Sequence, residues 1–270
     1  MSALSGRRRL GFGTYSLTGE EGVDIIELAL EAGYRHVDTA RLYGNESEVG
    51  AALDRAHIPR EEVFVATKVA HFKEPDPTPA YVREAVAESR ERLGVGTIDL
   101  LYHHWPQRRE DIDTVLPVFD ELVAAGVVDR IGISNYTVRD MDKARDILDP
   151  PVAANQVEFH PLLYQKNLRD AMRERDITLV AYSPVAQGEV FRVPTLTEIA
   201  DKHDTSPAQV SLAWALSKPG IAVIPRSSSP AHIQDNLAAL DLRLDEDDIA
   251  RIDAIDRQTR FENPGWMEWR

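Results

Sequence analysis

Cysteine is absent from the 270 residues. Its absence excludes disulfides, thiolate nucleophiles, zinc ribbons and iron–sulfur ligation together. Chemistry must run on oxygen and nitrogen groups, and the sequons at Asn45 and Asn135 read as chance matches in a cytoplasmic protein. Long apolar runs are missing too: none approaches the ~18–20 residues of a membrane span. Behind Arg7-Arg8-Arg9 the chain continues through Gly11, Thr14 and Ser16 rather than an apolar segment, so the start does not read as a secretory signal. Lysine is scarce, 6 against 25 arginines, while 24 aspartates and 21 glutamates bring the net charge to −14. Such acidity argues against nucleic acid and anionic membranes as partners. It also fits a halophilic surface, although a GC-rich genome accounts equally well for arginine over lysine.

What is present is an ordinary globular composition, 43% hydrophobic and 28% charged. Short apolar or β-branched runs fall at 9–14, 36–39, 63–67, 98–103, 130–134, 153–157, 178–182 and 221–225. Helical patterns follow at 20–32, 46–57, 78–93, 112–125, 137–147, 166–175, 206–217 and 230–238, the last with Ser229 as its expected N-cap and Pro230 in its first turn. Strands alternating with helices predict an α/β chain with a parallel sheet. Eight units of about 34 residues fit a (β/α)8 TIM barrel. A doubly wound alternative needs a glycine fingerprint, and Gly11-Phe12-Gly13 lacks its third glycine. Residues 1–270 therefore read as one domain, with its active site at the C-terminal face of the strands and the tail 257–270 expected near the mouth. Arg7-Arg8-Arg9 reads only as a solvated charge run.

Polar groups gather where the strands should end: Asp38, Lys68, His103-His104, Ser134-Asn135, Asn155-Gln156, Tyr182-Ser183 and Arg226-Ser227. Each alone has a bland explanation, as a helix cap, a rim ion pair or a core histidine; together they mark one end of a barrel. A buried lysine and aspartate near each other must pair. A tyrosine beside that lysine, best supplied by Tyr43, would have its pKa pulled below ~10 and serve as a proton donor. A metal-dependent hydrolase built on His103 and His104 is disfavoured, because adjacent strand residues point to opposite faces.

The stretches Gly11-Phe12-Gly13-Thr14, His36-Val37-Asp38-Thr39-Ala40-Arg41-Leu42-Tyr43-Gly44-Asn45-Glu46, Thr67-Lys68, His104-Trp105-Pro106, Gly132-Ile133-Ser134-Asn135-Tyr136, Asn155-Gln156-Val157-Glu158 and Tyr182-Ser183-Pro184 resemble the aldo-keto reductase family. The resemblance spans about residues 10–256 and is nearest the prokaryotic 2,5-diketo-D-gluconate reductase-like branch. It implies a catalytic tetrad of Asp38, Tyr43, Lys68 and His104, with Tyr43 as general acid and His104, which directly precedes the Trp-Pro pair, orienting the carbonyl. It implies NADPH as cofactor: Ser134, Asn135 and Gln156 on the nicotinamide carboxamide, Tyr182 stacked on the ring, Ser183 with Val185 and Gln187 along the pyrophosphate, and Arg226, Ser227, His232 and Asn236 at the adenosine end. The family's usual lysine and arginine are replaced by Arg226 and His232, so the preference over NADH should be narrower. Substrate contacts implied are Tyr15, Ala70, Trp105 and tail residues including Trp266, with no metal. The expected reaction is reduction of small aldehydes, α-ketoaldehydes or keto sugars, in a cytoplasmic monomer. A non-catalytic NADP(H)-binding subunit on the same fold is the alternative.

Overall fold

The computed structural model describes residues 4–106, 108–265, 267 and 269. Eight parallel strands, β1 (Phe12–Gly13), β2 (His36–Asp38), β3 (Phe64–His71), β4 (Leu100–Trp105), β5 (Ile131–Ser134), β6 (Val152–Glu158), β7 (Thr178–Tyr182) and β8 (Ile221–Val223), pair in sequence order. Gly11 N–H donates to Val223 O at 2.8 Å and Gly13 N–H to Pro225 O at 3.0 Å, tying the last strand to the first in the arrangement of a (β/α)8 barrel. Helices follow as α1 (Gly19–Ala32), α2 (Glu46–Arg55), α3 (Pro79–Leu93), α4 (Glu110–Ala124), α5 (Val138–Ile147), α6 (Lys166–Glu174), α7 (Pro194–Lys202), α8 (Pro207–Ser217), α9 (Pro230–Ala238) and α10 (Glu246–Asp253). None of the described helices is long and apolar enough to cross a membrane.

Local chemistry sets these boundaries. Thr78 accepts the Tyr81 N–H ahead of Pro79, and Gly94 closes α3 in the left-handed region at φ 65°. Reciprocal capping boxes, Thr137 with Asp140 and Asp245 with Asp248, start α5 and α10. Ser229 does sit at the N-cap of α9, but its hydroxyl makes no cap bond; its own N–H donates to Ser227 Oγ at 3.0 Å. Helices α7 and α10 lie outside the eight segments expected from periodicity, and β1 is only two residues long.

The strands are buried on both faces. Outside the sheet, Val37, Val65, Leu101, Ile131 and Leu179 pack against the helical layer, while Phe64, Ala66, Leu100, Tyr102, Ala154, Val180 and Ala222 form a second cluster. Gly132 is required there: a Cβ would lie 2.4 Å from the Tyr102 ring. Within the arginine run, Arg7 is exposed while Arg8 and Arg9 are structural ties rather than solvated charges. Arg9 donates to Ile221 O at 2.9 Å and Lys218 O at 3.1 Å, and Arg8 to Glu61 O at 3.1 Å, satisfying carbonyls that precede β3 and flank β8. Guanidinium's fan of donors suits that role.

Candidate active site

Strand parity sends Asp38 from β2 and Lys68 from β3 inward, where their side chains are only 2% and 1% exposed. Lys68 Nζ donates to Asp38 Oδ1 and, at 2.8 Å, to Thr39 O. The other Asp38 oxygen accepts from Gln156 Nε2 at 2.7 Å. Both charges therefore have partners, the condition for keeping an ion pair out of water. Gly44, left-handed at φ 67°, ends the short turn that carries Tyr43. The Lys68 ammonium lies 5.2 Å from the Tyr43 ring centroid, and the His104 ring meets Tyr43 edge-on at 5.8 Å.

Burial raises the Tyr43 pKa, and the nearby Lys68 charge offsets only part of that rise. The expected fall below the ordinary tyrosine value is thus corrected: desolvation of the phenolate outweighs the cation. The phenol keeps its proton. Lys68 shows the opposite balance: burial acts against its charge, yet the attraction of Asp38 and Tyr43 leaves its pKa raised. His104 is held neutral, its pKa far below normal through burial and the neighbouring Lys68, His71 and His103.

A cleft of about 500 Å³ opens above this group. Asp38, Tyr43, His104, Ser134, Asn135, Gln156, Tyr182, Ser183, Val185, Gln187, Arg226, Tyr15 and Trp105 all line it; Lys68 lies beneath its floor. Asn135, at φ 59°, donates to Ser134 Oγ at 3.1 Å and accepts from the Tyr182 hydroxyl at 2.9 Å, so the Tyr182 ring is pinned. Ser134 Oγ donates to Gln156 O at 2.9 Å. Ser183, Ala186 and Gln187 are left-handed at φ 49°, 50° and 51°, a tight strap beside the cleft.

Other expected residues lie apart from it. Ser227 is buried in the loop between β8 and α9, Asn236 is buried near the end of α9, His232 is exposed on α9, and none lines the cleft. Arg226, by contrast, does line the cleft and is turned to the first loop, donating to Tyr15 O at 3.2 Å and Ser16 Oγ at 3.1 Å. Ala70 is buried and does not line the cleft, and Trp266 lies outside the described residues. His103 faces away from the cleft toward Tyr136, 2.6 Å from its hydroxyl.

Sequence reasoning missed His71 and Lys73 among the lining residues, and Glu158 behind them; Glu262, on the tail expected near the mouth, does line the cleft. Buried Glu158 accepts from Phe261 N at 2.8 Å and Glu262 N at 2.9 Å and meets His160 Nε2 at 2.9 Å. These bonds anchor the tail, and beyond them Trp269 meets Trp105 edge-on at 6.0 Å. The Glu158-Phe159-His160 sequence offered a buried acid two residues from a histidine as the available signal.

The family model described as the aldo/keto reductase family matches residues 9–257. The chain is 39% identical over 254 residues to an aldo-keto reductase of Mycolicibacterium vanbaalenii, covering 93% of this chain and 89% of that one. It is 36% identical over 258 residues to the methylglyoxal reductase DkgA of Salmonella typhimurium, covering 94% and 91%. Among solved structures, an aldo-keto reductase from a Medee basin deep-sea metagenome library superposes with a TM-score of 0.89 at 34% identity, covering 93% of this chain and 92% of that one.

Proposed function

Because this chain belongs to the aldo/keto reductase family, we propose that it reduces small aldehydes, α-ketoaldehydes or keto sugars to alcohols with NADPH at the C-terminal face of its barrel. The observation that carries the reading is the buried Lys68–Asp38 pair directly under Tyr43 and His104 at the floor of the cleft. A methylglyoxal reductase among the relatives supports the substrate class.

The lining fits a nicotinamide. Tyr182 offers an aromatic face, and its hydroxyl bond to Asn135 fixes the outer end of the ring. Asn135 uses one amide hydrogen on Ser134, which leaves its second as a donor, and the Gln156 carbonyl oxygen is the matching acceptor for a carboxamide. Arg226 and the left-handed strap at Ser183–Gln187 would meet the phosphates. When bound, the cofactor supplies a hydride from C4 of its nicotinamide.

The protein's own part is proton delivery and orientation. Tyr43 stays protonated across neutral pH because burial disfavours its phenolate, so an O–H is available to the carbonyl oxygen. As that oxygen takes the proton, negative charge develops on Tyr43 beside the Lys68 ammonium, which attracts it most where water is excluded. Asp38 keeps Lys68 charged and fixed. Neutral His104 donates to the same carbonyl and orients it. A narrowed preference for NADPH over NADH is expected because the exposed His232 stands where the family usually has arginine.

Following NADPH absorbance with methylglyoxal and 2,5-diketo-gluconate tests this directly. Turnover is expected for the wild type and lost in Tyr43→Phe while NADPH still binds. A wild type that binds NADPH and turns over neither substrate nor a wider carbonyl panel would refute it in favour of a non-catalytic subunit.

A further inference from the structure

His71 closes β3 in register with Trp105 and lines the cleft, although alternation from Lys68 would place Ala70, not His71, on the inner face. The reason is Ala70 itself, whose φ of 60° puts a non-glycine residue in the left-handed region inside a strand. Such a conformation costs on the order of 1–3 kcal/mol and persists only where the surroundings enforce it. Here it turns the next side chain inward, until the His71 and His104 ring centroids are 4.6 Å apart.

That side chain is held from several directions. Lys73 N–H donates to Nδ1 at 3.1 Å, the backbone N–H of His71 donates to Glu74 Oε2 at 2.8 Å, and Phe72 stacks on the ring at 4.2 Å. Glu74 is fixed in turn by the Tyr81 hydroxyl at 3.0 Å and by Arg41. With Nδ1 accepting, the single hydrogen of a neutral imidazole is on Nε2. Burial keeps the ring neutral, its pKa lowered to about 4. The cleft therefore holds a second N–H donor beside His104, one that bonds to no other group among the described residues.

The reading of the cleft as a carbonyl-reducing site, on which this step rests, occupies Tyr43 and His104 with one oxygen and leaves His71 without a task. We propose that His71 Nε2–H donates to an oxygen on the carbon next to the reacting carbonyl, making the site selective for 1,2-dicarbonyl and α-hydroxycarbonyl substrates. A donor built to meet a substrate oxygen discriminates against the analogue lacking it, because the buried N–H is then left without a partner.

Steady-state kinetics with methylglyoxal and propanal, which differ in that second oxygen, test the assignment in the wild type, His71→Leu and His71→Gln. The leucine variant should lose about tenfold in kcat/KM for methylglyoxal, the worth of one such hydrogen bond, with propanal changed by less than about twofold. The glutamine variant, with an amide N–H in nearly the same place, should recover most of the loss. NADPH dissociation constants from fluorescence should be the same for all three proteins. Equal losses on both aldehydes, or no loss on methylglyoxal, would overturn the assignment while leaving carbonyl reduction intact. A wild type inactive on both and on other carbonyls would remove the underlying reading, and this assignment with it.

Discussion

Replacing Asp38 with asparagine keeps the side-chain shape and removes one charge from the floor of the cleft. Lys68 then retains Thr39 O at 2.8 Å as a partner, while the new amide has one carbonyl oxygen where the carboxylate served both Lys68 and Gln156. With the lysine side chain 1% exposed, water does not repair the loss. An uncompensated buried charge of this kind costs about 3–5 kcal/mol. Taking an unfolding entropy of about 2.1 cal/mol/K per residue, a chain of this length loses roughly 5–9 °C in Tm. Lys68 has one escape, release of its proton, which against an unfolded value near 10.4 costs about 1.4 kcal/mol per pH unit. That escape becomes easier as pH rises, so the penalty at pH 9 should be smaller than at pH 7. Urea unfolding of the wild type, Asp38→Asn, Lys68→Met and the double variant at both values checks each step. The double variant, with no charge left to bury, should be more stable than the additive sum of the singles by several kcal/mol. A single-variant cost below about 1 kcal/mol, or additivity within about 0.5 kcal/mol, would refute the argument that the pair is held in a dry site.

Acid should weaken the protein early. His36, His71, His103 and His104 all have pKa values lowered by burial, His71 to about 4 and His103 to about 3. The unfolded chain takes protons on these groups first, near pH 6.5, so the stability they contribute is complete above that value and is lost as pH falls toward the native values. About 1 kcal/mol for each of His71 and His103 should go between pH 7 and 5.5; urea midpoints that stay level over that range would contradict it. Gly132→Ala places a Cβ 2.4 Å from the Tyr102 ring and should cost about 1–3 kcal/mol by overpacking, read as a lower Tm, whereas an unchanged Tm would mean that the ring moves freely.

Much of the barrel was legible because its period is simple. Strand and helix runs alternate, and the polar residues that interrupt the apolar strands do so at their carboxyl ends, which is why Asp38, Lys68, His103-His104, Ser134-Asn135 and Tyr182-Ser183 stood out as one end of the barrel, while only the family resemblance separated His104 from its neighbour. What escaped had no such period. Helix α7 starts at Pro194 directly behind the irregular strap at Ala186–Arg192, and α10 lies beyond the last strand, so neither occupies a place that strand–helix alternation reserves for it. Arg9 escaped because its partners, the carbonyls of Ile221 and Lys218, lie more than 200 residues away and carry no side-chain signature.

Direction proved harder to read than identity. A lysine beside a tyrosine argues from composition for a lowered phenol pKa, but the sign is decided by how completely the site is dried, a property of the whole fold. His71 carries the same lesson at the level of the backbone. Counting by twos from Lys68 assigns it to the outer face; only the positive φ at Ala70 reverses that, and nothing about an alanine in a strand announces it. Ala70 packs its methyl into the cluster outside the sheet, so two things act together: the strain turns His71 inward, and the turned-out methyl leaves the space beside His104 to it. Substituting Ala70 by glycine would relieve the first without disturbing the second, which is why the backbone, rather than the imidazole alone, sets where that donor stands.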